Sequence, residues 1–218
     1  MKARIEIFLN QLNAPADTAS LVLVRVVFGL LMFWSTISDF YFGWVTELYA
    51  KPQFHFQYEW FQWVKPLPEG VMYIIFGSQA VLSLMIALGL YYRVSAFLFF
   101  MGYTYIFLVE RTTYNNHFYL ICLLSFMLIL APLHRSWSLD VLRGSVEHTD
   151  SQPVLWLWIF RLHMGIVYFY GGLAKLDPDW LSGLATRKLL GEANRGTFLE
   201  PLLSLIHISE PTRRTPIS

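Results

Sequence analysis

Five stretches of this chain stay apolar for long enough to cross a lipid bilayer, and no other feature restricts its fold as severely. A hydrocarbon core of about 30 Å takes roughly 20 helical residues at about 1.5 Å of rise each. The stretches are approximately Leu21–Tyr41, Val71–Leu90, Val94–Val109, Phe118–Leu133 and Val154–Ala174. Their near-continuous apolarity predicts helices, because barrel strands alternate with a period of two. The third and fourth are short and need flanking aromatic rings to complete a crossing. The expected fold is an all-α integral membrane protein, a polytopic bundle with about five transmembrane helices. "APADTAS" and "PLPEG" supply start signals for the first two.

Composition narrows the function classes. With 56% hydrophobic and only 14% charged residues, the chain reads as a membrane protein rather than a soluble domain. A net charge of +1 leaves no basic stripe for a nucleic-acid partner, so none is expected; membrane lipid is the expected surrounding. The single cysteine, Cys122, lies inside an apolar run and reads as a small core residue. The N-terminus lacks the order of a cleaved signal, so the first helix is expected to direct insertion itself. The aromatic segment between the first two helices suits the headgroup level, and the connection His134–Pro153 reads as aqueous. Lys2, Arg4, Arg93, Arg135 and Arg143 fall on one side by this count, which favours a cytoplasmic N-terminus. Residues 1–202 are expected to form one domain. "LSLIHISEPTR" resembles an in-frame translation of a transposase sequencing adapter, so residues 203–218 are expected to be a non-native tail and the natural chain to continue beyond about Leu202.

Polar residues within apolar stretches are the candidate functional groups, because each is costly there. Arg25 lies about one turn into its helix and either snorkels to the interface or faces the interior. Arg161, nearly two turns in, is expected to face the interior, and Glu110, Asp177 and Asp179 are candidate counter-charges. In "TTYNNHFYL", Asn115 or Asn116 can cap the fourth helix and His117 can be an interfacial ring; equally, the three crowd donors and acceptors where a quinol headgroup would lie. Lys175 ends the fifth stretch. It either snorkels or, in a dry site, is a neutral amine able to act as a general base. No HExxH, GxSxG or phosphate-binding glycine loop is present, the histidines are scattered, and no metal site is expected.

Three stretches taken together, "ASLVLVRVVFGLLMFW", "YNNHFYLICLL" and "IVYFYGGLAKLDPDWLSG", closely resemble the vitamin K-dependent γ-glutamyl carboxylase family and its bacterial relatives, the horizontally transferred transmembrane group. The resemblance runs from about Asp17 to Leu190. It implies a lyase-type enzyme whose base deprotonates reduced vitamin K or a related naphthoquinol. Dioxygen then drives epoxide formation, a strong base formed on the way takes a proton from a glutamate γ-carbon, and carbon dioxide is captured. The implied partner is a glutamate-containing protein or peptide. By position Lys175 resembles the family's base, His117 with Asn116 the pair that orients the quinol oxygens, and Asn115 with His117 the quinol-binding pair. Arg161, Asp177, Asp179 and Trp180 are expected to support them. The family's later helices and aqueous domain do not occur in this sequence, so the fragment alone is expected to be inactive. Two other readings stay open: a quinol oxygenase or oxidoreductase without a peptide substrate, and a non-enzymatic scaffold or transport component. A bacterial inner membrane is the expected location.

Overall fold

The computed structural model describes residues 2–52 and 54–183 and divides into two compact units, Met1–Trp158 and Ile159–Ser218. The proposed tail at 203–218 lies outside the described residues. Among the described residues, four helices are long and apolar enough to cross a membrane: α2 (Ala19–Tyr41), α3 (Glu69–Leu88), α4 (Tyr92–Val109) and α7 (Val154–Ala174). The fifth apolar helix, α5 (Asn116–Leu130), has 15 residues and at about 1.5 Å per residue spans roughly 22 Å. Shorter elements complete the described chain: α1 (Lys2–Leu12), β1 (Pro15–Asp17), a π-helical stretch Val45–Ala50, α6 (Leu139–Leu142), β2 (Ser151–Pro153) and α8 (Pro178–Leu181). This is an all-α polytopic membrane protein with one small antiparallel pair, Pro15 opposite Pro153.

Helix boundaries follow local chemistry. Ahead of α2 the Asp17 carboxylate accepts the Ala19 amide at 2.6 Å, using one of the N–H groups that a helix start leaves without a partner. Packing then depends on small residues. Gly29 on α2 faces Ser83 and Ala87 on α3, both buried, and the backbones meet there. Lipid gives helices no hydrophobic reason to associate, so close backbone approach is what holds such a pair together. Deeper along α3, Met72 and Phe76 join Val45, Tyr49, Val64, Ile106 and Val109 in a buried cluster under the aromatic segment.

At the end where α2 begins, Arg25 ties the bundle. Its side chain is 1% exposed and donates to the carbonyls of Leu133 at 2.9 Å, Ser136 at 3.4 Å and Trp137. Of the two readings it therefore takes the interior one, and backbone carbonyls hold it. Glu110 is occupied elsewhere, accepting from the Thr112 amide at 2.9 Å and hydroxyl at 2.7 Å. The connection read as aqueous folds onto the helix ends. Asp140 is buried and accepts the amides of Tyr91 at 2.8 Å and Tyr92 at 3.0 Å, capping α4 from a distance, while Arg143 pairs with it at 2.9 Å. The physical reason is that helix ends carry backbone groups needing partners, and this loop brings them. Tyr92 and Arg93 in turn donate to the carbonyls of Leu128 at 2.7 Å and Leu130 at 2.9 Å at the end of α5.

His134 makes this knot sensitive to acid. Its buried ring stacks on Tyr92 at 4.9 Å, and burial, reinforced by the positive charge of Arg93, lowers its pKa to about 4. The unfolded chain binds this proton below about pH 6.5 but the folded chain only near 4, so stability is full above about 6.5 and falls as pH drops through that window. His134→Phe, which keeps the stacking, is expected to remove about 1–3 kcal/mol of that loss. Thermal unfolding in nanodiscs across the window checks it: parallel curves for both proteins would refute the assignment.

Candidate functional site

The residues singled out by the sequence fall into two groups, one on each unit. In the first unit a sharp turn precedes α5. Glu110 organises a 3-10 turn over Arg111–Thr113, Tyr114 follows, and Asn115 is the N-cap in extended backbone. Asn115 Oδ1 accepts the His117 amide at 3.0 Å and lies 2.7 Å from His117 Nδ1. Asn115 thus caps the helix, as one reading of this stretch expected, and also holds the His117 ring. An amide oxygen only accepts, so Nδ1 is the donor in this contact, and in the neutral ring Nε2 is left as an acceptor. Asn116 Oδ1 accepts the Tyr114 hydroxyl at 3.1 Å, which leaves its NH2 group to point donors elsewhere. All three side chains are exposed.

Asn115→Ala removes a cap worth about 1 kcal/mol, so amide exchange at the first turn of α5 should quicken about fivefold. Asn115→Asp retains the acceptor and should not. Equal exchange in all three proteins would show that the cap contributes nothing.

Beside this turn lies a cavity of about 60 Å³, lined by residues of α2, the π-helical stretch, α3, α4 and the α5 turn. Its polar groups are Ser35, Asp39, Tyr49, Tyr103 and Thr113, and its rings include Trp44, Phe76, Phe107 and Phe118. Burial pushes the Tyr49 hydroxyl up to about 12, so it keeps its proton and can donate. Asp39 was missed by sequence reasoning, although the rule that flags Arg25 applies equally to a carboxylate in "FWSTISDFYFGW".

The second unit carries the other group. Lys175 follows directly on α7, its amide bonded to the Gly172 carbonyl at 3.0 Å, and its ammonium lies 5.8 Å from the centre of the Trp180 ring. That is cation–π distance, and Trp180 is thereby the partner of Lys175. Asp177 begins the next turn, its carbonyl accepting the Trp180 and Leu181 amides at 3.0 Å, and Asp179 lies in α8. Lys175 is exposed among the described residues, which do not supply the dry surroundings the sequence leads one to expect. Arg161 is also exposed, where an interior position was expected. On α7 it is Phe160 and His163 that are buried, and a residue one step from Phe160 points about 100° away at 3.6 residues per turn.

A sequence profile of the HTTM domain matches residues 13–208, most of the chain. The chain belongs to the HTTM domain family. This is the domain found in vitamin K-dependent γ-carboxylases, in keeping with the resemblance carried by the Asn-Asn-His and Lys-Leu-Asp stretches. No solved structure matches the chain. Within this HTTM domain both stretches occupy the same kind of place, a turn bordering an apolar helix.

Proposed function

We propose that this HTTM protein is a vitamin K-dependent γ-carboxylase-like enzyme that uses a reduced naphthoquinol, dioxygen and carbon dioxide to carboxylate glutamate side chains of a protein or peptide. The observation that carries the reading is the Asn115–His117 pair, which holds an exposed imidazole in the tautomer whose Nε2 accepts. That donor and acceptor set fits the two oxygens of a quinol: His117 Nε2 accepts from a hydroxyl, and the Asn116 NH2 donates to an oxygen. Lys175 is the proposed base, an N–H bond forming at Nζ as the quinol O–H breaks. This requires a neutral amine, and the Trp180 ring, 5.8 Å from Nζ, is proposed to position the Lys175 side chain. The bound quinol, once oxygenated, supplies the basicity that a lysine lacks toward a carbon acid. Arg161, Asp177 and Asp179 are proposed as support for the Lys175 turn. The gathering of Arg93, Arg135 and Arg143 at the end where α2 begins supports a cytoplasmic N-terminus in a bacterial inner membrane.

The test uses the full-length protein in membranes with reduced vitamin K, dioxygen, labelled bicarbonate and a glutamate-containing peptide. Label should enter the peptide, and Lys175→Ala should lower the rate about a hundredfold. Epoxide without fixed label would establish instead a quinol oxygenase lacking a peptide substrate. Neither product, in a folded protein, would leave the scaffold or transport reading.

A further inference from the structure

The cavity beside the α5 turn is too small for the quinol and has the wrong chemistry for a structural ion pair. An apolar cavity that admits a benzene ring measures about 150 Å³, and one water needs about 10–15 Å³. At about 60 Å³ this chamber holds a few waters and excludes even a single aromatic ring. A carboxyl group in a membrane-spanning helix is costly, and where it is kept it faces the bundle interior or a water-filled cavity and pairs with another ionisable group or with the backbone. Among the described residues lining the chamber there is no lysine, arginine or histidine. Asp39, on α2, instead faces hydroxyl groups. The π-helical stretch contributes Tyr49, α4 contributes Tyr103, and Ser35 and Thr113 add two alcohols; α3 and α5 contribute only Phe76 and Phe118. Beyond the lining, Glu110 and Tyr58 act electrostatically on Tyr49, and Cys122 acts on Tyr103, and none of these supplies a positive charge. A carboxyl, four hydroxyls and room for a few waters are the parts of a proton path.

We propose that Asp39 is a proton-transfer group that exchanges protons with water held in this chamber beside the Asn115–His117 turn. An O–H bond forms at a carboxylate oxygen as one breaks on a hydronium ion, and the step reverses toward the next water. Nothing is oxidised or reduced. The inference rests on the proposed function for its purpose, since each quinol deprotonation leaves a proton that must reach water before the next turnover.

Infrared difference spectroscopy of the full-length protein in nanodiscs, titrated from alkaline to acid pH in H2O and D2O, tests the chemistry without any substrate. A carboxylic C=O band that shifts in D2O should be present, be lost in Asp39→Asn and return at a moved frequency in Asp39→Glu. A band unchanged in the Asn variant overturns the proposal. Turnover supplies the second readout. Asp39→Asn should lower quinol consumption about tenfold or more at unchanged KM, with Asp39→Glu recovering most of it. An unchanged rate and unchanged solvent isotope effect in the Asn variant would also overturn it. If the wild-type protein consumes no quinol, the proposed function fails while the infrared band still decides for or against Asp39.

Discussion

Arg25→Leu is expected to leave little folded protein at physiological temperature. The guanidinium is 1% exposed and satisfies the carbonyls of Leu133, Ser136 and Trp137. Leucine fills some of the volume and none of the bonds. The Leu133 and Ser136 carbonyls are buried and that of Trp137 partly so; each buried carbonyl left without a partner costs about 1–3 kcal/mol, so the two together cost roughly 2–6 kcal/mol against a total stability of about 5–15. There is a second contribution. Trp137 is held at φ +48°, a left-handed conformation that disfavours a bulky residue, and the Arg25 bond to its carbonyl is part of what holds it. Arg25→Lys retains the charge but replaces a planar fork by a point donor, so it should fall between the two. Detergent-solubilised yield and thermal midpoint measure the series. A leucine variant melting with the wild type would mean that the carbonyls find water or other donors, and that Arg25 is dispensable.

Gly29→Leu should prevent α2 and α3 from closing. A Cβ at Gly29 would lie 2.5 Å from the Ser83 carbonyl oxygen and 2.6 Å from the Ala87 amide nitrogen. Both are backbone atoms of a helix, which cannot swing aside as a side chain can. Overpacking costs about 1–3 kcal/mol when neighbours yield, so alanine should fall in that range and leucine above about 3. Gly165→Ala on α7 is the matched control, since a Cβ there meets nothing within 4 Å and alanine is the better helix former. If Gly29→Leu and Gly165→Ala unfold alike, the close approach of α2 and α3 does not hold the bundle.

The two candidate groups were unequally legible in the sequence. The Asn115–His117 turn was visible because its chemistry is local: an N-cap and a ring two residues on need only the chain between them. Lys175 was visible by its position after a long apolar run, and its Trp180 contact also lies within one turn and a short helix. Asp39 was equally visible and was passed over. What makes it a candidate is the company it keeps in the chamber, and residues from Ser35 to Phe118 meet there only after folding.

By itself the sequence determined the helices, since lipid accepts only backbone that satisfies its own hydrogen bonds, and apolar length therefore dictates where helices must be. Their bounds in the structure lie within a few residues of those read from the apolar runs, and α7 coincides with its run. The tertiary structure alone decided the fate of the polar groups. Whether Arg25 reaches water or a loop more than a hundred residues away, and whether Asp140 is solvated or caps α4, depends on partners that no local pattern specifies. Burial of a charge is decided by what packs over it, and in this protein that is the connection after α5.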